Sequence, residues 1–409
     1  MTQRSTQRYA PDISRRNALR FGGLSAVALS AAACGVQGAA KQQSTAQAES
    51  AAEKFWKAQK KTGSLTFANW ALYIDPSHQT LKDFTAATGI KVAYDEVIQD
   101  DNSFFAKIHP LLASGQSSSY DIMVITDGLE FSELIELGEV TPLDQSMLTN
   151  FYKYADAPYK NRSFDPGNIY SVPWASGSTG IGWNPKYVKE PPTSISDLWN
   201  PKYAGHVGMM SDPQEIANFG LFKLGIDPET STEADWKKAA KVLRQQRDAG
   251  IVRQYYDASY INALSNGNTW ISMAWSGDIF QQNLSAGTDL QFVVPSDGGT
   301  IWTDNMMIPK YARNPYSAML LIDWFYKPEI AAMVTEAINY ITAVPSVQQI
   351  VKADAAKAAG QDKKLLTEVA TSSLVWPTAA DYARLKSYVP LTGKTQTAFN
   401  AVFEPVVAG

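Results

Sequence analysis

From residue 63 onward the chain alternates short apolar runs with amphipathic segments. In chain order this pattern predicts a strand over Leu65–Trp70, a helix over Pro76–Gly89, a strand over Ile90–Val97, a helix over Ser103–Ser114, a strand over Tyr120–Ile125 and a helix through Phe131–Leu137. Such alternation is typical of a mostly parallel sheet with helices on both faces. A second series, from about Val172 to Ile301, predicts a second lobe. The expected fold class is therefore α/β with two lobes.

Three residues become candidate ligand contacts through their position alone. Trp70 ends the first predicted strand, and Thr126 and Asp127 follow the third. In α/β sheets, ligands bind outside the carboxyl ends of the strands. We therefore expect these side chains to lie at a binding site.

The N-terminal residues show the pattern of an export signal. The run Ser14–Leu19 contains two adjacent arginines and resembles a twin-arginine signal, and the apolar stretch Phe21–Ala33 follows it. This stretch is shorter than the ~20 apolar residues that a membrane-spanning helix needs. The sequence therefore predicts a signal peptide over residues 1–33.

The end of this segment predicts a lipid anchor. Leu29–Gly35 resembles a bacterial lipobox, in which Cys34 carries the lipid, although Ala31 stands where the motif prefers leucine. A plain signal peptide with an incidental cysteine is the alternative. Removal of residues 1–33 takes away five Arg and one Asp, which changes the formal net charge from −4 to −8.

Residues 34–62 are rich in Ala, Gln, Ser and Lys and show no strand pattern. This composition is typical of a linker, here a tether with a short helix around Ala51–Lys61. We expect an exported protein that its lipid holds on the outer face of the cytoplasmic membrane.

Composition excludes several classes of function. A pI near 5.6 is not that of a nucleic-acid-binding protein. One Cys excludes a disulfide framework or a Cys-rich metal site, and the three histidines, His78, His109 and His206, are scattered. H-E-x-x-H, G-x-S-x-G and P-loop motifs are missing from the sequence. We expect no cofactor, no metal and no catalytic residue.

Two further motifs allow alternative interpretations. Gly177–Gly182 has the glycine content of a phosphate-binding loop, but its order favours a turn or a close crossing of strands. Tyr255 and Tyr256 resemble the adjacent tyrosines of ferric-ion-binding proteins, although a partly buried surface pair is the favoured interpretation.

The informative chemistry is the combination of aromatic rings with carboxylates. Trp302 and Asp304 lie two residues apart in a predicted strand and therefore on one side of it. Met273–Asp278 places Trp275 at another strand end. A buried, unpaired carboxylate is costly, whereas rings and carboxylates together bind organic cations. Packing of each Trp in a core is the alternative.

Asp212 and Glu215 fit the start of a helix. With Asp212 as N-cap, Pro213 in the first helical position and Glu215 three residues on, the run predicts a capping box. A ligand role is compatible with this interpretation, because a helix N-terminus in a cleft can present a carboxylate outward.

Several motifs, taken in their order along the chain, resemble those of a known protein family. They are Asn69-Trp70-x-x-Tyr73, Thr88–Val92, Tyr120–Val124, Tyr170–Trp174, Thr179–Asn184, Met273–Gly277, Pro295–Asp304 and Ala337–Pro345. From about Ser64 to its C-terminus, the chain resembles the spermidine/putrescine-binding proteins of ABC-type polyamine importers. The resemblance implies a two-lobed periplasmic-binding-protein-like fold of type II that closes over a ligand.

The resemblance also implies the site. The expected ring walls are Trp70, Tyr73, Trp275, Trp302 and Tyr340, the carboxylates that pair with amines are Asp212, Glu215 and Asp304, and Thr126 supplies a small hydroxyl. Residues 63–172 plus 304–346 are expected to form lobe 1, and residues 173–303 plus 347–409 lobe 2.

One departure from the family follows Thr126. The family has a tyrosine-bearing stretch there, and this chain has Asp127-Gly128-Leu129. We expect Gly128 to leave a gap and Asp127 to add a carboxylate to the cleft. Spermidine or spermine would then bind at least about tenfold tighter than putrescine. The alternative is that Gly128 is a turn residue and that Asp127 points to solvent.

Together these features predict an extracytoplasmic solute-binding lipoprotein, a monomer that captures polyamines and delivers them to an ABC permease. A binder of another organic cation, such as a quaternary amine or a cationic amino-acid derivative, is the alternative in the same class. A carboxylate-based hydrolase that uses Asp304 and a sensor subunit that reports to a membrane receptor are alternatives from other classes.

Overall fold

The structure is a computed structural model that describes residues 45–389, 391 and 393–408. The predicted signal peptide, Cys34 and the first part of the tether lie outside the described residues. Within the described part of the chain, no helix is both long enough and apolar enough to cross a membrane.

Ten strands occur in the described residues. They are β1 (Ser64–Trp70), β2 (Lys91–Ile98), β3 (Ile122–Thr126), β4 (Ser171–Trp183), β5 (Val207–Met210), β6 (Val252–Tyr256), β7 (Ile271–Trp275), β8 (Gln291–Val293), β9 (Gly299–Met307) and β10 (Leu385–Lys386).

Fifteen α-helices occur in the same residues. They are α1 (Thr45–Ala58), α2 (Gln79–Thr88), α3 (Asp101–Ala113), α4 (Leu129–Glu136), α5 (Thr149–Tyr154), α6 (Pro213–Lys223), α7 (Glu233–Asp248), α8 (Tyr260–Ser265), α9 (Ser276–Ala286), α10 (Pro315–Trp324), α11 (Pro328–Ile338), α12 (Gln348–Lys357), α13 (Gly360–Thr371), α14 (Ala379–Tyr382) and α15 (Gly393–Val407). The six elements predicted before residue 138 are confirmed, with boundaries within three residues.

The described strands form one continuous sheet in the order β2-β1-β3-β9-β4-β7-β5-β6, with β10 beside β9 and β8 beside β4. Strands β2, β1 and β3 are parallel, as are β7, β5 and β6. The central pairs β3-β9, β9-β4 and β4-β7 are antiparallel. The outer strands of each lobe are therefore parallel, as predicted. Strands β4 and β9 run antiparallel, because the chain crosses between the lobes in both directions.

Strand β4 links the two lobes and contributes to both of their cores. Val172 and Ala175, near its start, pack in the lobe 1 core with Phe67, and Ile181, near its end, packs in the lobe 2 core with Phe219. All thirteen residues of β4 are buried. A strand that belongs to both cores holds the carboxyl ends of the outer strands on either side of one cleft.

The C-terminal region divides between the two cores. Val351 and Val369, on α12 and α13, pack in the lobe 1 core, whereas Phe399 and Phe403, on α15, pack in the lobe 2 core. The lobe boundaries remain a prediction. We propose that lobe 1 extends to the end of α13 and that α15 belongs to lobe 2.

The folded body includes the end of the segment predicted as a tether. Trp56, on α1, is 8% exposed, and its indole Nε1 donates to the carbonyl oxygen of Pro142 at 2.9 Å. The backbone N–H of Thr62 donates to Ser317 Oγ at 2.9 Å. Trp56 and Thr62 therefore belong to the folded body, since an indole that packs in the lobe 1 core cannot belong to a free linker.

Replacement of Trp56 tests this attachment. We expect Trp56→Ala to lower the free energy of unfolding by about 3 kcal/mol, because the indole leaves a cavity and Pro142 loses its donor. The neighbouring Phe55 is 38% exposed, so Phe55→Ala is the matched control, with a loss of about 1 kcal/mol or less. Denaturant titration measures both values, and equal losses would contradict the packing of Trp56.

Candidate functional site

A cleft of about 810 Å³ lies between the lobes. Trp70, Thr126 and Trp275 end strands β1, β3 and β7 at its walls. Nine of the ten predicted site residues line it: Trp70, Tyr73, Thr126, Asp212, Glu215, Trp275, Trp302, Asp304 and Tyr340. The structure thus brings together residues that are up to 270 positions apart in the sequence.

The cleft is strongly acidic. Its described lining contains eight carboxylates and no Lys, Arg or His; the carboxylates are Asp100, Asp101, Asp212, Glu215, Asp257, Asp278, Asp304 and Glu404. A concave site lined by charge of one sign concentrates ligands of the opposite sign. The charge of the lining therefore selects for cations.

Asp304 lines the cleft, and both of its carboxylate oxygens accept hydrogen bonds. Tyr73 Oη donates to Oδ2 at 2.6 Å, and Thr126 Oγ1 donates to Oδ1 at 2.7 Å. Burial raises the pKa of Asp304 to about 6, and the two hydroxyls offset part of that rise. Hydroxyl donors orient the carboxylate without neutralising it, so its charge remains available to a cationic ligand.

Asp278 is a second carboxylate in the cleft, and it was absent from the predicted site. Tyr340 Oη donates to its Oδ1 at 2.7 Å, and Tyr260 Oη to its Oδ2 at 3.1 Å. Burial raises its pKa to about 6. The signal was present in the sequence, because Asp278 follows Trp275 by three residues and α9 begins between them, which brings both side chains into the cleft.

Glu215 is the third inner carboxylate, and its two oxygens differ. Oε1 accepts from Thr179 Oγ1 at 2.7 Å and from Trp275 Nε1 and Tyr388 Oη at 3.0 Å. Oε2 is buried and has no hydrogen-bond partner among the described residues. Burial raises the pKa of Glu215 to about 7. A buried oxygen without a partner is costly, which agrees with the raised pKa of Glu215.

Tyr388 is a further residue that sequence reasoning missed. It lies two residues beyond β10, which pairs with β9 and so brings the C-terminal segment to the cleft. No spacing rule in the sequence predicts this contact, because β10 contains only two residues.

The rings of Trp302, Tyr340 and Tyr73 form a continuous aromatic wall. The centroids of Trp302 and Tyr340 are 5.4 Å apart, and those of Tyr73 and Tyr340 5.5 Å. Two glycines make room for the wall. A Cβ on Gly177 would lie 2.3 Å from the Trp302 ring, and one on Gly277 2.3 Å from the Tyr340 ring. Trp302 and Tyr340 therefore need glycine at positions 177 and 277, because a side chain there would clash with their rings.

The helix start predicted at Asp212 is confirmed, but it is not a capping box. Asp212 caps α6, and its Oδ1 accepts from the N–H groups of Gln214 and Glu215 at 2.7 and 2.9 Å. The Glu215 side chain bonds to Thr179, Trp275 and Tyr388 instead of returning to the cap. Both carboxylates are thus fixed by the N-terminal turn of one helix.

Asp127 does not line the cleft, contrary to the prediction. It is buried, its Oδ1 accepts from the N–H of Thr303, and its own N–H donates to the Thr303 carbonyl at 2.8 Å. Because Thr303 lies between Trp302 and Asp304, Asp127 holds that part of β9 in place. Burial raises its pKa to about 7.

Gly128 leaves no gap for a ligand. A Cβ at this position would lie 2.3 Å from Oε1 of Gln214, which already occupies the space. The expected advantage of spermidine or spermine over putrescine therefore loses both of its structural reasons, the gap and the Asp127 carboxylate.

The two ambiguous motifs have structural explanations. Gly177–Gly182 lies within β4, where Gly180 and Gly182 are closely packed against Val293 and Ala274, which confirms the close crossing of strands. Tyr255 and Tyr256 are successive residues of β6 and point to opposite faces of the sheet, so they cannot bind one ion together. The described residues contain no group of three or more potential ligands that could hold a metal ion.

Comparisons with known proteins agree with this arrangement. The family model for bacterial extracellular solute-binding proteins matches residues 79–367. The spermidine/putrescine-binding periplasmic protein of Salmonella typhimurium is 31% identical over 315 residues, which cover 76% of this chain and 85% of that protein. The putrescine-binding periplasmic protein SpuD of Pseudomonas aeruginosa is 28% identical over 363 residues, covering 83% of this chain and 91% of that protein.

A solved structure supports the fold. The spermidine/putrescine ABC transporter substrate-binding protein PotD of Streptococcus pneumoniae has a TM-score of 0.69 and 24% identity, over 84% of this chain and 98% of that one. At this identity the similarity shows the fold alone, which is the two-lobed, type II fold of periplasmic binding proteins.

Two substitutions test whether Asp127 stabilises the fold through its hydrogen bond to Thr303 or through its charge. We expect Asp127→Ala to lower the free energy of unfolding by about 1–3 kcal/mol, because the buried N–H of Thr303 loses its acceptor. Asp127→Asn keeps an oxygen in place and should change it by less than about 1 kcal/mol. Denaturant titration near neutral pH measures both, and an Asn variant as unstable as the Ala variant would show that the charge is what matters.

Proposed function

Because the chain belongs to the family of bacterial extracellular solute-binding proteins, we propose that it captures polyamines outside the cytoplasm and delivers them to an ABC importer. The residues match the ligand class. A polyamine carries ammonium groups separated by methylene chains, and the cleft offers carboxylates separated by aromatic rings. Ring faces cover methylenes and attract ammonium groups by roughly 0.5–2 kcal/mol each.

The acidic lining of the cleft is the observation that carries this proposal. It contains eight carboxylates and no Lys, Arg or His among the described residues, while hydroxyl and indole donors hold Oε1 of Glu215 in place. A protonated amine supplies the positive charge that the lining lacks. Asp278 and Asp304, with the wall of Trp302 and Tyr340 nearby, supply the sites for further amines.

The protein acts as a monomer and releases its ligand unchanged. The relatives named above are binding proteins by description, and the inner carboxylates are held by hydroxyl and indole donors that suit ligand pairing. A lipid on Cys34 holds the protein at the outer face of the cytoplasmic membrane, where it meets the permease.

Two variants of the site test the ligand class. We expect Asp304→Asn to weaken spermidine binding by about 2–5 kcal/mol, because a desolvated ammonium loses its charged partner. Trp302→Ala should cost somewhat less, because it removes ring contacts and the indole's hydrogen bond to Thr179 but no charge. Calorimetric titration of the full chain measures both.

Asp354 provides the matched control for charge. It lies outside the cleft and pairs with Lys357 on the surface of α12, so Asp354→Asn should leave the affinity unchanged. Normal affinity for Asp304→Asn and Trp302→Ala would remove both residues from the site. Binding of choline or arginine in preference to any polyamine would replace the proposed ligand with another organic cation.

Binding should weaken as the pH falls. The pKa values of Asp278, Asp304 and Glu215 are raised to about 6, 6 and 7 in the empty cleft, and the ammonium groups pair with the ionised forms. As the pH falls through 7, Glu215 must lose a proton before it pairs, and as it falls through 6, Asp278 and Asp304 must do so as well, whereas well above pH 7 all three are ionised. We expect the affinity for spermidine to fall by at least about tenfold from pH 7.5 to pH 5.5.

Calorimetry in buffers of different ionisation enthalpy measures this proton release. Glu336 offers a control, because burial raises its pKa to about 7 although it lies outside the cleft lining. Glu336→Gln should leave the pH dependence unchanged. A dissociation constant that stays constant over this pH range would contradict the assignment of the three carboxylates.

The lipid anchor is tested by cell fractionation of Cys34→Ser. The variant should move from the membrane to the soluble extracytoplasmic fraction, because Cys34 is the only thiol of the chain. A variant that stays with the membrane like its parent would show that the chain is held by something other than this lipid.

A further inference from the structure

We propose that helix α4 is a latch between the lobes, and that Gln214 is the positioning residue that holds it closed over the ligand. The inference rests on the proposed function, because a latch has a role only in a protein whose cleft opens and closes. Under this inference Gly128, where the chain departs from the family's sequence, serves to retain the ligand and not to recognise it.

Helix α4 is rooted in lobe 1. It follows β3 directly, and Phe131 and Leu134 pack with Met123 and Ile125 of that strand in one hydrophobic cluster. Thr126, at the end of β3, donates to Asp304. Only Asp127 and Gly128 therefore separate the start of α4 from Thr126, which lines the cleft.

The same helix reaches into lobe 2. The side chain of Leu129 packs in the lobe 2 core, and its N–H donates to Gln214 Oε1 at 2.7 Å. At the other end, Glu136 accepts from the N–H of Gly393 at 3.0 Å, and Gln396 Nε2 donates to Glu133 at 2.9 Å. These contacts join an element of lobe 1 to α6 and α15 of lobe 2, and an opening of the cleft must break them.

Gln214 fits this role because of its neighbours. It stands between Asp212 and Glu215, so the helix turn that presents carboxylates to the cleft also holds α4. Gln214 is 5% exposed, and the absence of a Cβ at Gly128 is what admits its side chain. In the closed arrangement, a residue larger than glycine at position 128 would clash with the glutamine side chain at position 214.

Electrostatic repulsion opposes closure of the latch. Glu130 of α4 is half-buried, and its partial burial, followed by the negative charge of Asp212, raises its pKa to about 7. Like charges at the junction of α4 and α6 favour opening, whereas a bound cation and the Gln214 hydrogen bond favour closure. Removal of the hydrogen bond should therefore shorten the time for which the ligand stays bound.

Gln214→Met tests the hydrogen bond, because Met keeps the approximate volume and removes the acceptor. With spermidine as probe and the full chain, stopped-flow tryptophan fluorescence reports both rates, since Trp275 and Trp302 line the cleft. We expect dissociation to accelerate about tenfold and association to change less than about twofold. Gln361→Met, at an exposed position of α13, is the matched control, and thermal melting without ligand verifies that each variant folds.

A double-mutant cycle tests the fit between Gly128 and Gln214. We expect Gly128→Ala to raise the dissociation constant in the parent and to raise it clearly less in a Gln214→Ala background, because the clash then has no partner. Any backbone strain that the added methyl group causes at position 128 is common to both backgrounds and cancels. Additive losses, or a Gln214→Met variant with unchanged dissociation, would overturn the latch.

A measurement without ligand separates this inference from the proposed function. Failure of the parent chain to bind any polyamine overturns the proposed function. Small-angle scattering then decides the latch, since Gln214→Met should enlarge the radius of gyration relative to Gln361→Met. An unchanged radius in a chain that binds no polyamine would overturn the latch as well.

Discussion

Three carboxylates line one cleft with no basic side chain among its described lining residues, and this is the constraint on which the structure depends. Glu215 and Asp304 are buried, and Asp278 is half-buried. Burial of a charge without a partner is among the most costly events in folding. The chain limits this cost with hydroxyl and indole donors, which stabilise the carboxylates of Glu215, Asp278 and Asp304 without cancelling their charge. A cationic ligand compensates the remaining negative charge, and without one the carboxyls take up protons at a higher pH than usual.

The fold supplies the precision that such a site needs. The outer strands of each lobe are parallel and end at the cleft, while β4 and β9 run antiparallel through both cores. Asp304 is therefore held by the central ladder, and Glu215 by the first turn of a capped helix. Ligand-contact residues on rigid elements keep their geometry, and lobe movement can then open the cleft without disordering the site.

Much of this arrangement could be predicted from the sequence. The period of apolar residues predicts the helices and strands before residue 138, and the family resemblance implies nine of the residues that line the cleft. The alternation of Trp302 and Asp304 places both on one side of β9. These predictions succeed because they depend on local periodicity, or on motifs whose positions the fold keeps constant.

The rest depends on contacts that no local pattern encodes. Asp127 follows a strand end like Thr126, but the N–H of Thr303, 176 positions away, takes its carboxylate. Gly128 suggests empty space, but Gln214 from the other lobe occupies it. Tyr388 enters through a two-residue strand. In each case the partner that decides the outcome is brought close only by the tertiary fold.

The crystal structure of the chain with spermidine tests the central claim most directly. The account predicts spermidine in the cleft with its ammonium nitrogens paired with the carboxylates of Glu215, Asp278 or Asp304 and its methylene groups against the rings of Trp302 and Tyr340. Spermidine bound elsewhere, or bound in the cleft with its nitrogens away from these three carboxylates, would contradict it.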